Sequence, residues 1–338
     1  MSTAPHTSSR QSGLTLIELM VAMTIGLLLL GGAASLFISN KRIYREQEEM
    51  SRLQENGRFA LELLIHDIRM TGYVGCHDEM GKVVNLVSTD PTVLTAYLSR
   101  VEGSEAAANW LPSGSTGDVA SMVAGSDGIT LRYLNPTIVR LATAMAPGAL
   151  DADLDVAADS GADADVDMII ADNSLLAIAD CATTDVFAAG NVDEDSIPHA
   201  ATLSKAYGED AQIMRLVARR YFIRNDANGD PGLWVTWNTG AAEELIQGVE
   251  NMQILYGIDT GGDGVADTYL NAAAVNAATA WAAVASVRIA LLLRTVDVNA
   301  HNEIDTRTYT LLNTNVGPFN DQRRRRVFTA TVSIRNNT

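Results

Sequence analysis

From Leu14 to Ile38 the chain carries a single ionisable side chain, Glu18, and no proline interrupts it from Leu14 to Thr71. At ~1.5 Å rise per residue, about 20 apolar residues cross a ~30 Å hydrocarbon core, so this segment is predicted to span a membrane. The residues before it, Met1 to Gly13, are polar, include Arg10 and hold no apolar core of their own. They cannot be the hydrophobic region of an ordinary secretory signal, and no small-residue cleavage site of the AxA type follows before Asn40. The apolar segment is therefore expected to stay in the mature chain.

The helical pattern continues past the span. Ile43, Met50, Leu53, Ala60, Leu61, Leu64, Ile65 and Ile68 recur at helical spacing, while Arg45, Glu48, Arg52, Glu55 and Glu62 take other faces. A helix over 14–70 would be ~85 Å long, far beyond the usual globular helix, and must reach past any globular domain. Gly26, Gly31 and Gly32 could let it melt locally or permit close helix contact. Thr71-Gly72 is a stop signal, and the rest reads mainly as strands. Those expected are Gly128 to Leu134, Met214 to Ile223, Leu233 to Trp237, Val249 to Ile258, Val284 to Val296 and Val327 to Ile334. Short helices are expected at Thr202 to Asp210 and Ala272 to Ala282. The predicted class is α+β, with one face of the long helix covering an antiparallel sheet in a β-rich domain over 71–338.

Charge narrows the functions open to this chain. A net charge of −17 sets a field that repels phosphate, so specific nucleic-acid binding is not expected. Between Arg140 and Lys205 there is no Lys or Arg and Asp recurs, which reads as an acidic surface insertion over about 141–204 rather than a packed core. The Asp spacing there is irregular, which favours a solvated loop over a calcium repeat. Arg323 to Arg326 is a dense basic run, read as a solvated face or a guard on a strand edge rather than a site for an acidic surface or DNA. No GxSxG, HExxH or P-loop spacing occurs, and no enzyme activity is expected. His66, Cys76 and His77 crowd the helix end, an arrangement more often structural than catalytic. Trp234, Trp237 and Tyr221 could serve a binding module, but aromatic residues on strands are more often core. Cys76 and Cys181 are in no metal-ligand spacing and suit one disulfide or two buried thiols, as the compartment decides.

Ser12-Gly13-Leu14-Thr15-Leu16-Ile17-Glu18-Leu19-Met20-Val21-Ala22 resembles the processing motif of type IV prepilins. The resemblance implies a leader over 1–13, cleavage between Gly13 and Leu14 by a prepilin peptidase that also methylates Leu14, and a glutamate at the fifth mature position, Glu18. Leu14 departs from the Phe more usual there. A carboxylate near the end of an apolar helix costs about 2.5–3.5 kcal/mol at the bilayer centre and less at the interface, so it is a functional candidate with a partner. In this family the implied partner is the α-amino group of a neighbouring subunit; the plainer reading places Glu18 among headgroups, favourable to the helix dipole. Arg10 before the span against Lys41, Arg42 and Arg45 after it would by charge alone favour the opposite orientation.

A second resemblance lies towards the other end of the chain. Val249 to Asp259, Val287 to Arg294 and Arg325 to Phe328, with Asp67 to Cys76 at the end of the helix, are similar to blocks of PilW-type minor pilins. That implies a minor pilin incorporated in, or priming, a type IV pilus, with major and minor pilins and inner-membrane lipid as partners. The C-terminal domain would be periplasmic and then exposed on the fibre, supporting adhesion, twitching motility or DNA uptake. A minor pseudopilin of type II secretion shares the N-terminal motif, and an anchored periplasmic binding protein or enzyme is the alternative from another class. Outside the reducing cytoplasm, a Cys76–Cys181 disulfide becomes the expected state. Asp259 to Asp267 is a candidate Ca²⁺ loop, with Asp259, Asp263, the Val265 carbonyl and Asp267 at ligand positions. Gly261 and Leu270 stand where two further oxygen ligands belong, so a glycine-rich turn between strands is the competing account. Asp226 to Asp230 reads as an Asx-rich hairpin turn.

Overall fold

A computed structural model describes residues 13, 15–75, 83–86, 99–106, 122–146, 153–158, 170, 174–180, 182–193, 196–200, 202–238, 240–298 and 303–336. The chain divides into two compact units, Met1–Ser51 and Arg52–Thr338. Helix α1 (Leu16–Met70) is continuous in both. Within the first unit its large apolar residues from Leu16 to Ile38 are exposed, and a Cβ built on Gly26, Gly31 or Gly32 would meet nothing within 4 Å outside its own helix backbone.

In the second unit the helix buries one stripe, Leu53, Gly57, Ala60, Leu64, Asp67 and Ile68, at three- and four-residue spacing. Met70 ends it as expected, with Gly72 at φ +78° reversing the chain. The strands that follow are β1 (Val83–Leu86), β2 (Val101–Ser104), β3 (Gly128–Leu141), β4 (Leu154–Ala158), β5 (Leu175–Ala179), β6 (Thr184–Ala188) and β7 (Ser196–Ile197). Next come β8 (Gln212–Asn225), β9 (Pro231–Trp237), β10 (Glu243–Gln247), β11 (Val249–Ile258) and β12 (Thr268–Leu270). After helix α2 (Ala272–Ala277) the chain adds β13 (Val284–Arg294), β14 (Tyr309–Leu311), β15 (Thr314–Val316) and β16 (Arg325–Ser333).

Instead of one sheet there are two principal ones. A 10-stranded sheet runs β1-β6-β5-β8-β3-β4-β7, with β2 on β3, β9 on β8 and β10 on β9. It is antiparallel except where β1 meets β6. A 4-stranded antiparallel sheet runs β12-β11-β13-β16, and β14 and β15 form a separate hairpin. Gly248 is the only residue between β10 and β11, and its φ of +82° turns the chain from the first sheet into the second. The main core collects α1, the early part of β3, the later part of β8, β9, β11 and β13 around Leu64, Ile68, Leu131, Ile223, Ile254 and Ile289. A Cβ on Gly57 would meet the Phe328 ring, so only glycine lets α1 and β16 come this close.

The long strands β3 and β8 are shared. β3 pairs with β2 near its start and with β4 near its end, and β8 pairs first with β5 and then with β9. The outer halves carry a second core of Val139, Leu154, Ile170, Leu176, Phe187, Ile197, Tyr207 and Ile213. The acidic segment is thus corrected where it is described: its strands build and fill this half of the sheet. Asp153 and Asp155 are exposed, whereas Asp151, Asp159, Asp163, Asp165 and Asp167 lie outside the described residues. The helix expected over Thr202 to Asp210 is also corrected. That stretch is irregular because Ser204 donates from its N–H and hydroxyl to buried Asp185 while Leu203 and Tyr207 enter the core. The helix expected over Ala272 to Ala282 is shorter, capped by Asn271, and followed by a 3₁₀ turn at Trp281–Ala283.

Candidate functional site

The processing end is organised by the spacing Thr15-x-x-Glu18. Thr15 precedes the first helical residue and its carbonyl accepts the Leu19 N–H. The Glu18 carboxylate accepts from the Thr15 N–H at 3.1 Å and from its hydroxyl at 3.0 Å, and the Glu18 N–H donates to Thr15 Oγ1 at 3.3 Å. This is a capping box, in which two otherwise unpaired helix-start donors are satisfied reciprocally. A Cβ built on Gly13 would meet no described residue within 4 Å, and Leu14 lies outside the described residues. The Thr15-x-x-Glu18 spacing of the cap is visible in the sequence. Downstream of it the helix is long and apolar enough to cross a membrane, with none of its most apolar stretch buried in the protein.

In the second unit, residues of the Asp67 to Cys76 block form a clasp that sequence reasoning missed. Asp67, fully buried, accepts from the Arg219 guanidinium at 2.6 Å on both oxygens, from Tyr133 Oη at 3.2 Å and from Tyr221 Oη. Burial, and then the adjacent carboxylate, pushes the Tyr221 hydroxyl well above its ordinary pKa, so it stays a donor. Arg219 stacks its guanidinium 3.8 Å from the centre of the Trp237 ring. Beyond the clasp, Gly72 N–H donates to Arg132 O and Leu134 N–H to Tyr73 O, so the chain leaving α1 is tied to β3. The detectable signal was one acid on an otherwise apolar helix stripe. Tyr221 is therefore core and Trp237 is committed to Arg219; Trp234 donates its indole N–H to Arg224 O. His66 is exposed, while His77, Cys76 and Cys181 lie outside the described residues.

The basic run is corrected. Arg323 and Arg325 are buried. Arg325 holds Glu250 through Nε at 2.6 Å and Nη2 at 3.1 Å, and Asp321 through both Nη atoms at 2.7 Å. It also reaches Asp305 at 3.3 Å and stacks 3.8 Å from the Phe319 ring centre. Arg294 bridges Glu250 and Asp230, and Arg323 donates to Thr295 O and Val296 O. Hydrogen bonding from Arg325 holds Asp321 below the usual carboxylate pKa. The bases are buried because Glu250 and Asp230, from β11 and the β8–β9 turn, meet them there, a pairing invisible to a local reading of four consecutive arginines.

The Asp259 loop joins β11 to β12. Asp259 accepts from the N–H groups of Gly261, Gly262 and Gly264 at 3.0, 2.6 and 2.7 Å, and these hold its pKa below the ordinary value, Gly264 foremost. Asp263 accepts from Val265 N–H, and Asp267 from the N–H and hydroxyl of Thr260. The carboxylates thus stabilise a glycine-rich turn. Among the described residues no group of three His, Cys, Asp or Glu is placed to hold a metal ion. Asp226 similarly caps the β8–β9 turn through Asn228 and Asp230 N–H.

A capped, exposed apolar helix whose later turns pack on antiparallel sheets defines the pilin-like class of membrane-anchored subunits. Residues 8–34 match the prokaryotic N-terminal methylation motif, and residues 220–336, running from within β8 to past β16, match the family described as Type IV Pilus-assembly protein W. The chain is thus similar at its N-terminus to proteins carrying that methylation motif and, over its C-terminal third, to PilW-type pilus-assembly proteins. No curated protein matches it.

Proposed function

We propose that the chain is made as a precursor, cut between Gly13 and Leu14 and methylated at Leu14 by the prepilin peptidase. Residues 14–38 hold it in the inner membrane with the β-rich domain in the periplasm, and it then joins or primes the pilus fibre with other pilins, supporting adhesion, twitching motility or DNA uptake. The observation that carries this reading is the methylation-motif match over 8–34, with Gly13 two residues before the Thr15 cap of a long apolar helix. In the fibre, the ammonium of a neighbour's Leu14 takes over Glu18 from its Thr15 donors, pairing a carboxylate that the membrane otherwise disfavours. The match over 220–336 supports a pilus rather than a secretion role.

Cys76 and Cys181 are joined in this reading. A Cβ built on Gly75, beside Cys76, would lie 3.7 Å from the Ala179 Cβ, two residues before Cys181. The test is a Gly13→Leu variant: intact-mass analysis should find the uncut precursor, absent from sheared pili, while the wild type begins at methylated Leu14 and co-purifies with the fibre. A wild-type mature N-terminus at any other residue overturns the proposal.

A further inference from the structure

Sheet edges expose unpaired backbone groups, and proteins blunt them with short strands, charges, proline or bulges. Most edges here follow that rule. β12 has 3 residues and β7 has 2, β10 opens with Glu243 and Glu244 and shifts register against β9, and β1 shifts register against β6. β16 does not. It has 9 residues, pairs with β13 without a register shift from Arg325 to Ser333, and among the described residues has no strand on its other side.

The direction of its backbone groups follows from the ladder. Thr295 N–H donates to Arg324 O and Ile334 N–H to Ala285 O, so even-numbered residues bond to β13. The N–H and C=O groups of Val327, Thr329, Thr331 and Ser333 therefore point away from the sheet. These residues include no proline, glycine or charge, and the side chains of Thr329, Thr331 and Ser333 are exposed. Val332 is buried in the main core and Phe328 packs against it, which anchors the strand on that face. Exposed Arg326 and Arg335 stand at the two ends of this stretch.

We propose that the outer edge of β16 is a docking site for an extended strand donated by another subunit, one with carboxylates flanking a β-branched core. Main-chain hydrogen bonds would supply affinity, and Arg326 and Arg335 would select the acidic flanks. A second copy of this chain is a poorer occupant, because pairing β16 with itself brings no carboxylate to either arginine and joins two chains of net charge −17. The site is separate from processing, so its failure would leave cleavage at Gly13 untouched.

The test uses the full-length protein in detergent and fluorescent peptides of alternating Thr and Val, with Glu at both ends or Lys at both ends, read by anisotropy. The Glu-flanked peptide should bind about tenfold more tightly than the Lys-flanked one, with the preference shrinking as salt rises. Thr329→Pro removes an outward N–H without breaking the β13 ladder and should weaken binding about tenfold. Should that variant fold poorly, reversing both charges with Arg326→Glu and Arg335→Glu should invert the peptide preference. Equal binding of the two peptides, or binding indifferent to both sets of variants, overturns the proposal. So does a disulfide-linked homodimer of Thr329→Cys, which would assign the edge to a second copy.

Discussion

Glu18 sits where an apolar helix begins, and in the single chain its cost is offset by its own neighbour Thr15. Losing this reciprocal pairing is a local effect at the helix start, on which neither insertion nor cleavage is expected to depend. Glu18→Ala should therefore be inserted and processed yet be missing from sheared pili by immunoblot; normal incorporation would reduce Glu18 to a cap. Asp127 makes the opposite case, a buried carboxyl whose ionisation is resisted. Burial pushes it to about 7 from 3.8, against the Ala106 and Ile254 N–H groups that donate to it. Between those values the folded chain keeps a proton that the unfolded chain has released, so this contribution to stability is fully present below about pH 4 and lost as pH rises through about 7. Each tenfold change in proton affinity is worth about 1.4 kcal/mol. The melting temperature in detergent should fall between about pH 4 and 7, and Asp127→Asn should remove most of that slope. Equal slopes would show that other groups govern it.

Strands β11, β13 and β16 are held at one end by the arginine and carboxylate network as well as by their ladders. Arg325→Ala removes the cation that Asp321 and Glu250 share and leaves Glu250 to Arg294 alone, and breaking a buried pair costs about 3–5 kcal/mol. A melting temperature unchanged by Arg325→Ala would show the network to be energetically idle. Because Asp321 is held below its unfolded pKa, its contribution is present above that value and disappears as pH falls through its depressed one. The wild type should thus lose stability in acid below about pH 4, more steeply than Arg325→Ala. These three strands were legible in the sequence to within a few residues, since their apolar runs are long and bounded by turns. Strands β4 to β6 were not: runs of Ala and Asp offer little hydropathy contrast, and β4 and β5 become strands by pairing with the extended ends of β3 and β8, β6 by pairing with β5.

The second unit holds two principal sheets, and within it a Cβ built on Gly75, beside Cys76, would lie 3.7 Å from the Cβ of Ala179, two residues before Cys181. A disulfide between Cys76 and Cys181 would close a long loop, worth roughly 2–4 kcal/mol. Thiol labelling of the denatured, unreduced protein should find neither cysteine free, and quantitative labelling of both would refute the bond. The long apolar helix, the N-terminal methylation motif, the end of the helix at Met70 and the α+β class were written in local pattern: apolar run length, the three- and four-residue stripe, and a glycine stop act between residues close in the chain. The division into two sheets, the burial of Arg323 and Arg325, the Asp67 clasp and the open edge of β16 were decided by tertiary structure. Each depends on partners far apart in the chain, as Asp67 does on Arg219 and Glu250 on Arg325. Whether a charge is solvated or buried, or an edge covered or bare, is set by the surfaces that folding brings beside it.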